Sequence, residues 1–132
     1  MKTNGVHHVG LTVDDLAAAQ TFFVEVLGFE AVGEKPEYPA VFVRDAKSLI
    51  TLWQAVDLPL VGFNRRQNVG LHHLALSIAA EDLDALYLRL KDWPGVSIEF
   101  APEPLGKSGL RHMMSLIPGG IRLELVGIGG SP

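Results

Sequence analysis

The chain contains one short phrase twice, and this repeat constrains its fold more than any other feature. Residues 6–13 read VHHVGLTV and residues 71–78 read LHHLALSI, so each copy sets a histidine pair in an apolar run typical of a β-strand. An acidic helix start and an amphipathic stretch follow each copy, beginning at Asp14 in the first half and at Glu81 in the second. The sequence therefore predicts two copies of one module, which can bring one histidine from each half to a shared centre.

Length, charge and cysteine content exclude several classes of function. With 132 residues, 48% of them apolar, we expect a single domain over residues 1–132. A formal net charge of −4 argues against general nucleic-acid binding, and no apolar run approaches the roughly 20 residues of a membrane helix. Because the N-terminus also lacks the apolar core of a signal peptide, we expect a cytoplasmic protein without a membrane partner. Since the chain has no cysteine, any metal must be bound through nitrogen and oxygen.

Each half is predicted to fold in the order strand, helix, strand, strand, strand, which gives an α+β protein. The predicted elements of the first half are a strand at 6–13, a helix at 16–27 and strands at 29–33, 40–43 and 48–56. Those of the second half are a strand at 71–78, a helix at 81–92 and strands at 96–100, 110–117 and 121–126. Proline, glycine and asparagine predict a linker at about 57–70, between modules at about 5–56 and 71–128, and a polar loop at 102–109.

Strand geometry narrows the residues that can carry chemistry. Neighbouring side chains on a strand point to opposite faces, so only one histidine of each pair can face a shared interior. Glu124 stands among apolar neighbours in the last strand, where an ionised carboxylate needs a partner. Two imidazoles and one carboxylate on one face bind a first-row divalent cation and leave coordination positions open. Alternatively, the histidines are hydrogen-bonded core residues and Glu124 pairs with Arg111 or Arg122.

Four motifs give the chain a resemblance to a known superfamily. They are HVGLTVDDL at 8–16, Phe22-Phe23 with Leu27-Gly28-Phe29, HLAL at 73–76, and PGGIRLEL at 118–125. In combination they resemble the vicinal oxygen chelate superfamily, which includes glyoxalase I, type I extradiol dioxygenases, methylmalonyl-CoA epimerase, and the fosfomycin and bleomycin resistance proteins. The resemblance spans residues 6–126. It implies two tandem βαβββ modules that form a curved mixed sheet around a metal cup, in a chain that forms a homodimer.

The resemblance also implies a set of metal ligands. Carried over residue by residue, the ligands are His8, His73 and Glu124, holding a divalent Fe, Mn, Ni, Zn or Co ion. His7 and His72 are then expected to be outward or packing residues. The family's fourth ligand position falls on Thr51, whose neutral hydroxyl is a weak metal ligand.

Thr51 makes proton-transfer chemistry less expected for this chain. The family members that transfer protons have Glu or Gln at that position. A site with two histidines and one glutamate favours an extradiol-type dioxygenase, acting on a small molecule that chelates the metal through vicinal oxygens. Such an enzyme needs a base that titrates near neutral pH, and His112 is the candidate. The predicted substrate-binding residues are Thr51, Trp53, Arg111 and Met114.

Other members of the superfamily supply the alternatives. One is a glyoxalase I-like lyase or isomerase, and another is a fosfomycin-type transferase that would use Lys107, Arg111 and Arg122 as its cationic pocket. A third, from a different class, is a bleomycin-type drug-binding protein without catalysis. Its groove would be lined by aromatic residues, for which the candidates are Phe42, Trp53, Phe63 and Trp93.

Overall fold

The computed structural model describes residues 1–129 and divides into two compact units. The first unit spans Met1–Val61 and the second begins at Gly62. This division falls inside the segment that the sequence predicts as a linker. Each unit holds one module, and the two modules have the same order of elements.

The first module forms a four-stranded mixed sheet with one helix. Its elements are β1 (Val9–Val13), α1 (Leu16–Thr21), a π-helical turn (Phe22–Val26), β2 (Glu30–Lys35), β3 (Ala40–Arg44) and β4 (Leu49–Gln54). The strand order is β1-β4-β3-β2, with β1 parallel to β4 and the other pairs antiparallel. The first strand of the module therefore lies beside the last.

The start of α1 is fixed by two polar side chains. The Asp15 carboxylate accepts a hydrogen bond of 3.0 Å from the Ala18 backbone N–H, which satisfies one free donor of the first turn. From β4, the Gln54 side chain accepts from Leu16 N–H at 2.8 Å and donates to the Asp14 carbonyl at 2.8 Å. Gln54 therefore joins the helix start to the sheet and lies on the face that the helix covers.

The predicted helix at 16–27 is correct in extent but not in type. After Thr21 the helix widens into a π-helical turn, with Leu27 N–H donating to the Phe22 carbonyl. Phe22 and Phe23 follow each other in the chain and are both fully buried. The wider turn occurs at these two consecutive core residues, which the pattern of a regular helix did not anticipate.

The second module repeats this architecture. Its elements are β5 (Leu74–Ala79), a 3₁₀ turn (Ala80–Asp82), α2 (Leu83–Leu90), β6 (Ser97–Pro104), β7 (Arg111–Ile117) and β8 (Ile121–Ile128). The strand order is β5-β8-β7-β6, again with the first and last strands parallel. The predicted α+β fold of two βαβββ modules is confirmed. Because β6 continues to Pro104, the predicted loop at 102–109 is shorter than expected.

The two faces of the second sheet are different. Leu123 and Leu125 are buried, and a Cβ added at Gly127 would lie 3.1 Å from the Ala80 Cα, so these residues of β8 face the helix. Glu124 alternates with them and lies on the opposite side, which we call the helix-free face. The same alternation defines a helix-free face in the first module.

The turn between β7 and β8 sets which residues of β7 share the face of Glu124. Pro118, Gly119 and Gly120 form a three-residue turn, in which both glycines have positive φ and Gly120 N–H donates to the Ile117 carbonyl at 3.0 Å. The resulting register pairs His112 with Val126 and Met114 with Glu124. His112, Met114 and Glu124 therefore lie on the helix-free face. In the part of the chain that the structure describes, no helix is long and apolar enough to cross a membrane.

The close approach at Gly127 gives a stability prediction. Gly127→Ala places a methyl group against the Ala80 backbone, which has little room to move, and we expect unfolding free energy to fall by about 1–3 kcal/mol in urea titrations. Gly62→Ala is the matched control, because nothing lies within 4 Å of its added Cβ. Its stability should stay within about 0.5 kcal/mol of wild type. Equal stability of the two variants would contradict the assigned packing of β8.

Candidate metal and substrate site

Three polar side chains meet on the helix-free face of the second module. His73 lies just before β5, His112 on β7 and Glu124 on β8. His73 Nε2 lies 3.2 Å from Glu124 Oε1, and His112 Nδ1 lies 2.5 Å from Glu124 Oε2. The exposed fractions of these side chains are 33%, 14% and 12%, respectively. One nearly buried carboxylate is therefore shared between two imidazoles.

Strand pairing explains why His73 reaches Glu124. Parallel β5 and β8 place Ala75 beside Glu124, and His73 is two residues before Ala75, on the same face. In the first module, β1 and β4 place Gly10 beside Thr51, and His8 is two residues before Gly10. Thr51 therefore occupies the position in the first module that Glu124 occupies in the second.

The arginines near the site have other partners. Arg111 forms a bidentate pair with Asp84 at 2.9 and 3.0 Å, and the guanidinium holds the pKa of that carboxyl below its usual value. Arg122 binds Glu99 at 2.9 and 2.6 Å. The alternative in which Glu124 forms an ion pair with Arg111 or Arg122 is wrong, because these arginines are paired with Asp84 and Glu99 and the contacts of Glu124 are to histidines. Arg111, predicted to bind substrate, is opposite Gly127 and thus on the helix-covered face.

Each first histidine of the pairs contacts the second through ring nitrogens. His7 Nδ1 lies 2.9 Å from His8 Nδ1, and His72 Nδ1 lies 2.7 Å from His73 Nδ1. The rings are close to perpendicular, at 84° and 71°. The expectation that His7 and His72 are only outward or packing residues missed these hydrogen bonds, which a strand pattern does not encode.

His72 also contacts Arg122. Its Nδ1 lies 3.3 Å from Arg122 Nη1. Partial removal from water, followed by the positive charge of Arg122, lowers the pKa of His72 below its ordinary value. The neutral imidazole is thereby favoured.

Two apolar side chains lie beside the shared carboxylate and its histidine partner. Met114 is buried directly opposite Glu124 on the neighbouring strand, and the Phe100 ring lies 4.8 Å from the His112 ring. Phe100 was not predicted as a site residue. Phe100 lies on the helix-free face because it pairs with Met114. The register between β6 and β7 shifts on both sides of this pair. Such irregularities could not be read from the apolar pattern.

On the first module, the corresponding face carries an aromatic cluster. Trp53 Nε1 donates a hydrogen bond of 2.8 Å to the hydroxyl of buried Thr51. The rings of Tyr38 and Phe42 lie 4.7 and 6.0 Å from the Trp53 ring. Thr51 and Trp53, both predicted to bind substrate, are thus joined to each other. Of the aromatic residues proposed for a drug groove, Phe42 and Trp53 meet here.

Two side chains of the second module, His73 and Glu124, are of the types that bind a divalent cation. Metal–nitrogen and metal–oxygen bonds of about 2.0–2.2 Å put two adjacent ligand atoms about 3.0–3.5 Å apart. The 3.2 Å between His73 Nε2 and Glu124 Oε1 lies in this range. Among residues 1–129, no three His, Asp or Glu side chains are arranged to enclose a cation by themselves. The complete ligand set of His8, His73 and Glu124 stays a prediction.

Comparison with known proteins gives the same superfamily. The family model "Glyoxalase/Bleomycin resistance protein/Dioxygenase superfamily" matches residues 5–125. A 2-epi-5-epi-valiolone epimerase from Actinomyces sp. is 33% identical over 152 residues, covering 96% of this chain and 81% of the epimerase.

Solved structures with low sequence identity share the fold. One is a variant of the fosfomycin resistance protein FosX from Listeria monocytogenes, in complex with Mn(II) and 1S,2S-dihydroxypropylphosphonic acid. It has a TM-score of 0.73 and 21% identity over 96% of this chain and 93% of FosX. A glyoxalase family protein from Enterococcus faecalis has a TM-score of 0.72 and 22% identity, covering 93% and 97% of the two chains. The chain belongs to the glyoxalase/bleomycin resistance protein/dioxygenase superfamily, also called vicinal oxygen chelate.

Proposed function

We propose that this protein is a metal-dependent epimerase, which moves a proton at a carbon next to a carbonyl in a small substrate rich in oxygen. The sharing of the Glu124 carboxylate between His73 and His112 carries the proposal, because it joins a predicted metal ligand to a side chain suited to proton transfer. The relative named as an epimerase supports this reaction type. Members of the superfamily act on small molecules and usually bind a divalent metal.

His73 and Glu124 would hold the metal, with His8 as the third ligand predicted from the sequence. When bound, the cation supplies Lewis-acid polarisation of a carbonyl oxygen, which makes the neighbouring C–H bond more acidic. The small spacing of the two donor atoms supports this assignment. The neutral Thr51 hydroxyl, already an acceptor for the Trp53 indole, contributes no charge.

His112 is proposed as the base. An ionised carboxylate only accepts hydrogen bonds, so the 2.5 Å bond to Glu124 requires the proton of neutral His112 to be on Nδ1. The Nε2 lone pair is then available to take a proton from the substrate. Burial beside Phe100 and Met114 limits water around the imidazole and fixes its orientation. In this proposal, Glu124 orients the base through one carboxylate oxygen and binds the metal through the other.

Extradiol-type dioxygenase chemistry is the second candidate. It is favoured by Thr51, because a site with two imidazoles and one carboxylate leaves positions open for a chelating substrate and dioxygen. The fosfomycin-type transferase is less favoured, since Arg111 and Arg122 are both neutralised by carboxylates and are not free for a phosphonate. A drug-binding protein without catalysis would have no use for the shared Glu124 carboxylate.

The first prediction of this proposal concerns metal binding. Wild-type protein should bind Mn(II) or Co(II), and His73→Ala and Glu124→Ala should each weaken binding at least about 100-fold, because each removes a ligand. Calorimetric titration of metal into apo-protein gives the dissociation constants. Asp84→Asn is the matched control, since it removes a carboxylate from the helix-covered side of the same module and should leave metal affinity unchanged. Negligible binding by all four proteins would exclude the metal enzyme.

The second prediction distinguishes the two reactions. With saturating metal in D2O, the protein should incorporate deuterium into 2-epi-5-epi-valiolone, and His112→Gln should slow incorporation by roughly 10²–10⁴-fold because it removes the base. NMR follows the exchange. Oxygen consumption is measured in parallel with an oxygen electrode and a panel of catechols. Oxygen uptake with ring cleavage, together with no deuterium exchange, would contradict the epimerase proposal and support the dioxygenase.

We also propose a homodimer. Residues 56–71 expose several large apolar side chains to solvent, which is unusual for a monomer surface. The exposed members are Val56, Leu58, Leu60, Val61, Phe63, Val69 and Leu71. Light scattering after gel filtration should give twice the mass of one chain, and Val61→Glu should shift the protein toward the monomer. A monomeric wild-type protein would contradict this assignment.

A further inference from the structure

Both modules contain the same hydrogen bond between neighbouring histidines. In each, the two Nδ1 atoms face each other at 2.9 or 2.7 Å, with the rings 5.1 or 5.0 Å apart and near perpendicular. A hydrogen bond between two ring nitrogens requires one donor and one acceptor. The position of a single proton therefore sets the protonation pattern of both rings.

Arg122 determines that position in the second module. A guanidinium has only donors, so Arg122 Nη1, 3.3 Å from His72 Nδ1, can only donate to that nitrogen. His72 Nδ1 is therefore the acceptor, and the proton between the rings belongs to His73 Nδ1. Arg122 is itself held by two hydrogen bonds to Glu99, and Arg65 lies 3.7 Å from the same carboxylate. The acceptor role of His72 is thus set by a fixed charge network.

The consequence appears at the other nitrogen of His73. A neutral imidazole with its proton on Nδ1 has a bare lone pair on Nε2, and this Nε2 lies 3.2 Å from Glu124 Oε1. Two acceptors at that distance repel unless a proton or a metal cation lies between them, and a bound metal would take the place of that proton. In metal sites, the second ring nitrogen of a ligating histidine donates to an acceptor that orients the ring. His72 provides such an acceptor.

We propose that His72 is a positioning residue, which accepts the His73 Nδ1 proton and thereby directs the His73 Nε2 lone pair toward the metal. We extend the same role to His7, whose Nδ1 lies 2.9 Å from His8 Nδ1. This inference rests on the proposed metal site, but it assigns a role to the first histidine of each pair. The doubled histidines then consist of a ligand and the residue that orients it.

Cobalt titration with two His72 variants tests the proposal without substrate or turnover. His72→Phe keeps a ring but removes the acceptor, and it should weaken Co(II) binding roughly 10–100-fold, the usual effect of losing an orienting partner. His72→Asn retains an acceptor close to the Nδ1 position and should restore affinity to within about threefold of wild type. The cobalt absorption bands report the ligand field directly. Equal affinity of wild type and His72→Phe, or no rescue by His72→Asn, would overturn the proposal.

A second measurement uses the unmodified protein. Long-range ¹H–¹⁵N spectra of the Zn(II)-loaded chain should show His72 protonated on Nε2 and His73 on Nδ1. A proton on His72 Nδ1 would overturn the proposal even if the variants fail to fold. Wild-type protein that binds neither metal would exclude the metal site together with this role, whereas metal binding that is indifferent to His72 would exclude this role alone.

Discussion

Parallel pairing of the first and last strands is the constraint on which both modules depend. It places the residue two positions after each second histidine beside Thr51 in one module and beside Glu124 in the other. The helix after the first strand is attached to the last strand as well, because the Gln54 side chain at the end of β4 is hydrogen-bonded to the start of α1. In the second module, the backbone hydrogen bonds between these strands bring His73 to within 3.2 Å of Glu124.

The equivalent positions Thr51 and Glu124 differ in their electrostatics. In the first module, Thr51 accepts from the Trp53 indole, and a neutral hydrogen bond satisfies a buried hydroxyl. In the second, a nearly buried carboxylate is shared by two imidazoles, an arrangement that is stable only with protons or a cation among them. The helix-free face of the first module is thus neutral and aromatic, whereas that of the second is charged. The symmetry of the backbone does not extend to the chemistry.

The sequence predicted the order of the main helices and strands among residues 1–129, because their periodicity and turn residues are local properties. It also predicted that Thr51 corresponds to Glu124. What it could not provide depends on register and on contacts between distant residues. The number of residues in the turn at Pro118 decides that His112 faces Glu124, and the ion pair with Asp84 holds Arg111 on the other side. The hydrogen bonds within the histidine pairs arise from ring orientation, which no alternation pattern contains.

The equivalence of Thr51 and Glu124 has an evolutionary consequence. If both modules descend from one ancestral unit, a change at a single codon in the last strand separates an anionic from a neutral site, with the sheet left intact. Backbone pairing keeps this last-strand position beside the first strand, whichever residue occupies it. A duplicated chain of this kind can therefore diversify its reactions by point substitution, one half retaining the old chemistry while the other drifts.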